Sequence, residues 1–148
     1  MDTEFTPQQA YEFGLLPLVA WREAQNQGYA GMLAVAWSIR NRVEHPSWAG
    51  DSYPSVILKH YQYSSFNWTD PNSQKEPKAG DSAWPNALRA AMDAYLELVP
   101  DPTGGAVNYF DTSLDPMNGK PDRRPKWALD GSMVHTVDVG KLHFYRIA

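Results

Sequence analysis

Apolar and polar positions divide the chain into helical and extended stretches. Residues 15–43 hold the richest apolar pattern and read as two helices about a polar break, Gln25-Asn26-Gln27-Gly28. A short helix precedes them. Thr6 is placed to cap it, Pro7 suits its first turn, and Gly14 is its expected stop. The next helix starts near Pro17 and ends at Gly28, a C-terminal cap. The following helix spans about 30–44, with Met32, Val35, Ala36, Ile39 and Val43 in one stripe and Pro46 beyond its end. A short helix is expected over 54–59. The clearest periodicity covers 84–99, where Trp84, Leu88, Ala91, Met92, Tyr95 and Val99 share a face. Strands are expected over 106–110, 133–137 and 142–147, the last two joined by Asp138-Val139-Gly140-Lys141. Residues 60–80 and 111–130 are long loops, a length that inside a domain usually marks function. The pattern predicts an α+β fold, a helical body with a small antiparallel β-sheet, in one domain over 1–148.

One position breaks the apolar pattern. Glu23 lies four residues after Val19 and seven after Leu16, on the apolar side of its helix. A carboxylate held there is harder to ionise and can serve as a general acid near neutral pH. The plainer alternative is an ion pair with Arg22, Arg40 or Arg42.

Composition narrows the chemistry. The chain has 148 residues, 43% of them hydrophobic, enough for a real core. Cysteine is absent, which removes disulfides, thiolate metal sites and a cysteine nucleophile. The net charge of -4 argues against nucleic acid as a partner. Lys120, Arg123, Arg124 and Lys126 form a local basic segment, either a solvated loop or an attractor for an anionic polymer. No apolar run can span a bilayer, and the acidic N-terminus is unlike a secretory signal. Aromatics reach 13%, and Trp48, Tyr53, Tyr61, Tyr63, Trp68, Tyr109 and Trp127 sit in polar stretches, where such rings line sugar clefts or serve as core.

Metal and serine chemistry find little support. His45, His60, His135 and His143 have no close ligand spacing, so no metal and no cofactor is expected. No Gly-x-Ser-x-Gly or phosphate loop is present. Acid chemistry at a carboxylate surrounded by aromatics and amides suits glycoside cleavage. A two-carboxylate mechanism would draw its second group from Asp51, Asp70 or Asp111.

Several segments, in order, resemble one family. They are Ala20-Trp21-Arg22-Glu23-Ala24, Gly31-Met32-Leu33-Ala34-Val35-Ala36, Asn41-Arg42-Val43, Tyr53-Pro54-Ser55-Val56-Ile57 and Gln62-Tyr63-Ser64. Asp101-Pro102-Thr103-Gly104-Gly105-Ala106 with Tyr109-Phe110, then Trp127, then Gly140-Lys141-Leu142-His143-Phe144-Tyr145 complete the set. Together, over about 20–146, they resemble the spore-cortex-lytic (SleB-type) cell-wall hydrolases. The family often has His two residues after the final Gly, where this chain has Leu142, with His143 next to it.

The resemblance implies a lysozyme-like fold and cleavage of peptidoglycan between N-acetylmuramic acid and N-acetylglucosamine. It puts the general acid/base at Glu23, by lytic transglycosylase or muramidase chemistry. It suggests Gln62 and Ser64 as hydrogen-bonders to sugar, Phe66 and Tyr109 as cleft-lining rings, and Trp127 as a stacking platform or an anchor for its loop. Asn108 alternates with Tyr109 along a strand, so only Tyr109 is expected to face the cleft. The expected partner is peptidoglycan, met by a monomer without membrane insertion. The lack of a signal suits a phage or prophage endolysin, made in the cytoplasm and released to the wall. A non-catalytic peptidoglycan-binding module and a structural protein of a phage or secretion apparatus are the competing readings.

Overall fold

A computed structural model describes residues 5–45, 48–59, 63, 71 and 75–148. Helix α1 (Pro7–Ala24) is followed by a 3-10 turn (Gln25–Gln27), α2 (Gly28–Glu44), α3 (Tyr53–Ile57) and α4 (Trp84–Tyr95). Strands β1 (Asn108–Asp111), β2 (Met133–Val139) and β3 (Leu142–Ile147) form an antiparallel sheet in the order β1-β3-β2. The expected α+β arrangement is present, with β3 in the centre.

Thr6 caps α1 as expected. Its Oγ1 accepts from Gln9 N at 3.1 Å while its own N–H donates to Gln9 Oε1 at 2.9 Å. Gly14 does not end this helix. α1 runs on through Gly14 and Pro17 to Ala24, so two expected helices are one. Packing overrides the local signals: Leu16, Val19, Ala20 and Ala24 are fully buried, each large apolar side chain contributing about 1.5–3 kcal/mol. Gly28 does serve as the break, at φ 72°.

α2 is the central helix. Met32, Ala34, Val35, Ala36, Ser38 and Ile39 are all fully buried, so apolar contacts surround it rather than forming a stripe. α4 packs across it through Ala87, Ala90, Ala91 and Ala94. The expected stripe on α4 is therefore rotated, and Leu88 and Met92 are exposed. Small alanines let the two backbones approach closely, an option invisible to a count of large apolar residues. α4 also stops at Tyr95 instead of Val99. Arg40 of α2 donates to the carbonyls of Ala94 (3.1 Å) and Tyr95 (2.7 Å) and to Glu97 (2.7 Å), and Glu97 takes a left-handed φ of 53°.

The turn from α4 to β1 is organised by Asp101. Its carboxylate accepts from Thr103 N (2.8 Å), Thr103 Oγ1 (2.6 Å), Gly105 N (3.0 Å) and Asn41 Nδ2 (2.9 Å). Asn41 Nδ2 also donates to the Ala106 carbonyl at 2.9 Å. Asn41 is thus a structural hydrogen-bonder, joining α2 to the segment that leads into β1. Asn41→Ala strands a buried carbonyl and should cost about 1–3 kcal/mol, read as a lower urea midpoint at unchanged slope.

The sheet has two unlike faces. Phe144 and Leu142 of β3 are buried toward the helices, with Tyr109, Val137 and Val139 packed beside them. The outer face carries Phe110, paired with His143, and Tyr145, paired with both Asn108 and His135. The segment after β1 bears on this face: Trp127 meets the rings of Phe110 (5.9 Å) and Tyr145 (5.3 Å) edge-on.

Candidate active site

Glu23 is near the C-terminal end of α1, half-buried, one turn beyond buried Val19 and beside buried Ala24. It lines a cavity of about 480 Å³ with Arg22, Gln25, Asn26, Asp81, Ser82, Ala83 and Asp111. The arginines expected as partners also hold other parts of the fold. Arg40 holds the end of α4, and Arg22 Nε donates to the Lys75 carbonyl at 3.0 Å. Buried Arg42 donates to the Val107 carbonyl and to Asn108 Oδ1 on β1.

Tyr109 of β1 reaches Glu23 from the sheet and hydrogen-bonds its carboxylate. Burial pushes the phenol well above its ordinary range, and the Glu23 charge and hydrogen bond raise it further. Tyr109 therefore remains a proton donor throughout the neutral range. Tyr63 lies behind it, 2% exposed, pushed up to about 12 by burial against the opposing effect of Arg42. Its hydroxyl has no hydrogen-bond partner among the described residues, and the Arg42 guanidinium sits 5.2 Å from its ring centre.

Tyr109 also lines a second, larger cavity of about 700 Å³ with Arg42, Trp48, Asn108, Trp127, Ser132, Met133 and Ile147. The Glu23–Tyr109 pair thus stands between two hollows, one polar and acidic, the other walled by aromatic rings. The larger hollow sits at one end of the sheet, where β1 and β2 begin and β3 finishes. This explains a departure from the expected alternation. Asn108 and Tyr109 point to opposite faces yet both line the cavity, because it wraps the strand end. Asn108 cannot turn away freely: its Oδ1 holds Arg42, and its Nδ2 lies 3.2 Å from Met133 Sδ.

Of the residues singled out in the sequence, Glu23, Tyr109 and Trp127 are brought to these two hollows. Gln62, Ser64 and Phe66 lie outside the described residues, as does Asp70. Asp111 shares the Glu23 cavity, whereas Asp51 is exposed beside the α3 cap, its backbone N–H 3.1 Å from Ser55 Oγ. Sequence reasoning left Trp48 open between cleft lining and core, turned Asn108 away from the cleft, and missed Arg42 and Asp81 as lining groups. Arg42 had a signal, since it falls within the family-like segment Asn41-Arg42-Val43. Asp81 had none: its Oδ1 accepts from Trp21 Nε1 (3.2 Å), Ala83 N (2.9 Å) and Trp84 N (3.0 Å), contacts set by tertiary packing.

The geometry agrees with comparison to known proteins. The chain superposes on the catalytic domain of the germination-specific lytic transglycosylase SleB from Bacillus anthracis with a TM-score of 0.67 at 21% identity, covering 97% of this chain and 98% of that one. The catalytic domain of the Bacillus cereus SleB protein gives 0.66 at 22% identity, covering 97% and 94%. These establish the fold. Among curated proteins, none matches this chain. The sequence model of one family matches residues 26–145, starting just after Glu23. With that match spanning most of its length, the chain belongs to the Cell Wall Hydrolase family.

Proposed function

We propose that the protein cleaves the glycan strand of peptidoglycan between N-acetylmuramic acid and N-acetylglucosamine as a lytic transglycosylase, with Glu23 as the single acid/base. The observation that carries this reading is the Glu23–Tyr109 pair between the two cavities. A sugar chain laid across both hollows would have its scissile oxygen at that pair.

Glu23 in its acid form would protonate the bridging oxygen as the glycosidic bond breaks. The resulting carboxylate would take the proton of the muramic C6 hydroxyl, which closes on C1. The product is a 1,6-anhydro sugar, and no water is consumed. Tyr109 would orient the carboxyl group between the two steps. Trp48 and Trp127 offer flat faces to sugars in the larger hollow, and Arg42 borders the same space. The Bacillus anthracis neighbour is a lytic transglycosylase, which favours the same chemistry.

Asp111 and Asp81 favour a second reading, muramidase hydrolysis, because both line the Glu23 cavity. Each has one oxygen committed locally, Asp111 to Ser113 N at 2.8 Å and Asp81 to the start of α4. Reaction in oxygen-18 water separates the two. Transglycosylation leaves the released muramic ends unlabelled, whereas hydrolysis places the label at the new reducing carbon. The single domain over 1–148 would act as a monomer at the bacterial wall. Among the described residues no helix is long and apolar enough to cross a membrane.

Tyr109→Phe tests the positioning role. The fold should persist and kcat should fall roughly tenfold to a hundredfold, the worth of a hydrogen bond to a charged group. Steady-state release of soluble muropeptides reads this.

A further inference from the structure

We propose that the outer face of the sheet holds a divalent transition-metal site, of the zinc class, built from His135, His143 and Asp138 and oriented by Asp115. It is separate from the Glu23 cavities and lines its own hollow of about 460 Å³ with Phe110, Pro116, Arg124 and Tyr145.

The ligand atoms already converge. His135 Nε2 and His143 Nδ1 each lie 2.6 Å from Asp138 Oδ1, and one ligand atom from each residue falls within 4.8 Å of the others. Two imidazoles and a carboxylate are a donor set for zinc and its neighbours, not for magnesium or calcium. Zinc at about 2.0–2.1 Å from each nitrogen would need the carboxylate to swing outward slightly. Asp138 is half exposed, so its rotamer is free to do so. The fourth position opens to the hollow.

Two independent features show a built site rather than a chance cluster. First, the other nitrogen of His143, Nε2, lies 2.7 Å from Asp115 Oδ2. A carboxylate on the far nitrogen fixes the tautomer and ring plane of a metal-binding histidine. Second, His135 and Asp138 are three apart on a strand, which would normally put them on opposite faces. The register shifts between His135 and Val137, so His135 opposes Tyr145 while Asp138 opposes His143. This bulge at Thr136 re-aims Asp138 onto the histidine face. A bound ion would tie the β2–β3 hairpin to Asp115, in the same segment that carries Trp127 into the larger cavity.

The test is titration of the purified, chelator-treated protein with zinc chloride, followed by calorimetry and by the absorbance of a cobalt(II) substitute. One saturable equivalent is expected, with cobalt bands of a four-coordinate site and a rise in Tm reversed by chelator. Asp115→Asn should weaken binding about 10–100-fold, and the double variant His135→Gln, His143→Gln should abolish it. His45→Gln, an exposed histidine elsewhere, should leave it unchanged. Circular dichroism of the metal-free variants checks that they fold, and Asp138→Asn supplies an independent ligand loss should the double variant not fold. Absence of saturable binding by the wild type overturns the proposal. So does wild-type affinity in the double variant or in Asp138→Asn.

Discussion

Glu23→Gln should lower muropeptide release from purified peptidoglycan by about two to four orders of magnitude, the range for loss of a general acid. The substitution keeps the side chain's size and its acceptor oxygen toward Tyr109. It removes the only proton that Glu23 could deliver to the bridging oxygen. Because Glu23 is half-buried at the edge of α1 and not in the apolar core, the fold should survive. The variant should therefore bind insoluble peptidoglycan and keep a Tm near that of the wild type. That combination separates loss of chemistry from loss of structure. It also separates an enzyme from a binding module, in which the same change would alter nothing.

The second large effect is on stability. Phe144→Ala is expected to cost about 3–5 kcal/mol, the usual range for deleting a buried aromatic. Phe144 is fully buried at the centre of the sheet, paired with Tyr109 on one side and Val137 on the other. Its ring lies 5.5 Å from that of Tyr109. Truncation leaves a void between sheet and helices and removes the support beneath the Tyr109 ring. For a chain near 150 residues this loss lowers Tm by roughly 6–20 °C, at about 2–4 °C per kcal/mol. Differential scanning calorimetry reads it directly. Activity below the lowered Tm should also fall, because Tyr109 would lose its fixed place beside Glu23.

Much of this was legible in the chain. The cap at Thr6, the break at Gly28 and the strand over 142–147 depend on local chemistry, and sequence shows local chemistry well. The place of Glu23 on the apolar side of its helix was equally plain, since helical period alone sets it. What was hidden depends on contacts between distant segments. Gly14 and Pro17 looked like a boundary, but the burial of Leu16 and Val19 carries one helix through both. The buried face of α4 was misjudged because alanines, not Leu88 and Met92, meet α2. Asn108 and Tyr109 looked mutually exclusive, and only a cavity at the strand end lets both line it. His135 and His143 showed no metal spacing because a one-residue bulge and a hairpin bring them together. None of these can be read from spacing, since each is set by which element lies opposite.

The central claim is that Glu23 breaks the bond between N-acetylmuramic acid and N-acetylglucosamine. Mass spectrometry of soluble products from purified peptidoglycan, with wild type and Glu23→Gln in parallel, tests it most directly. The wild type should release 1,6-anhydro-muropeptides and Glu23→Gln should stay near the no-enzyme baseline. Equal release by Glu23→Gln, or release of peptides from intact glycan strands, would contradict it.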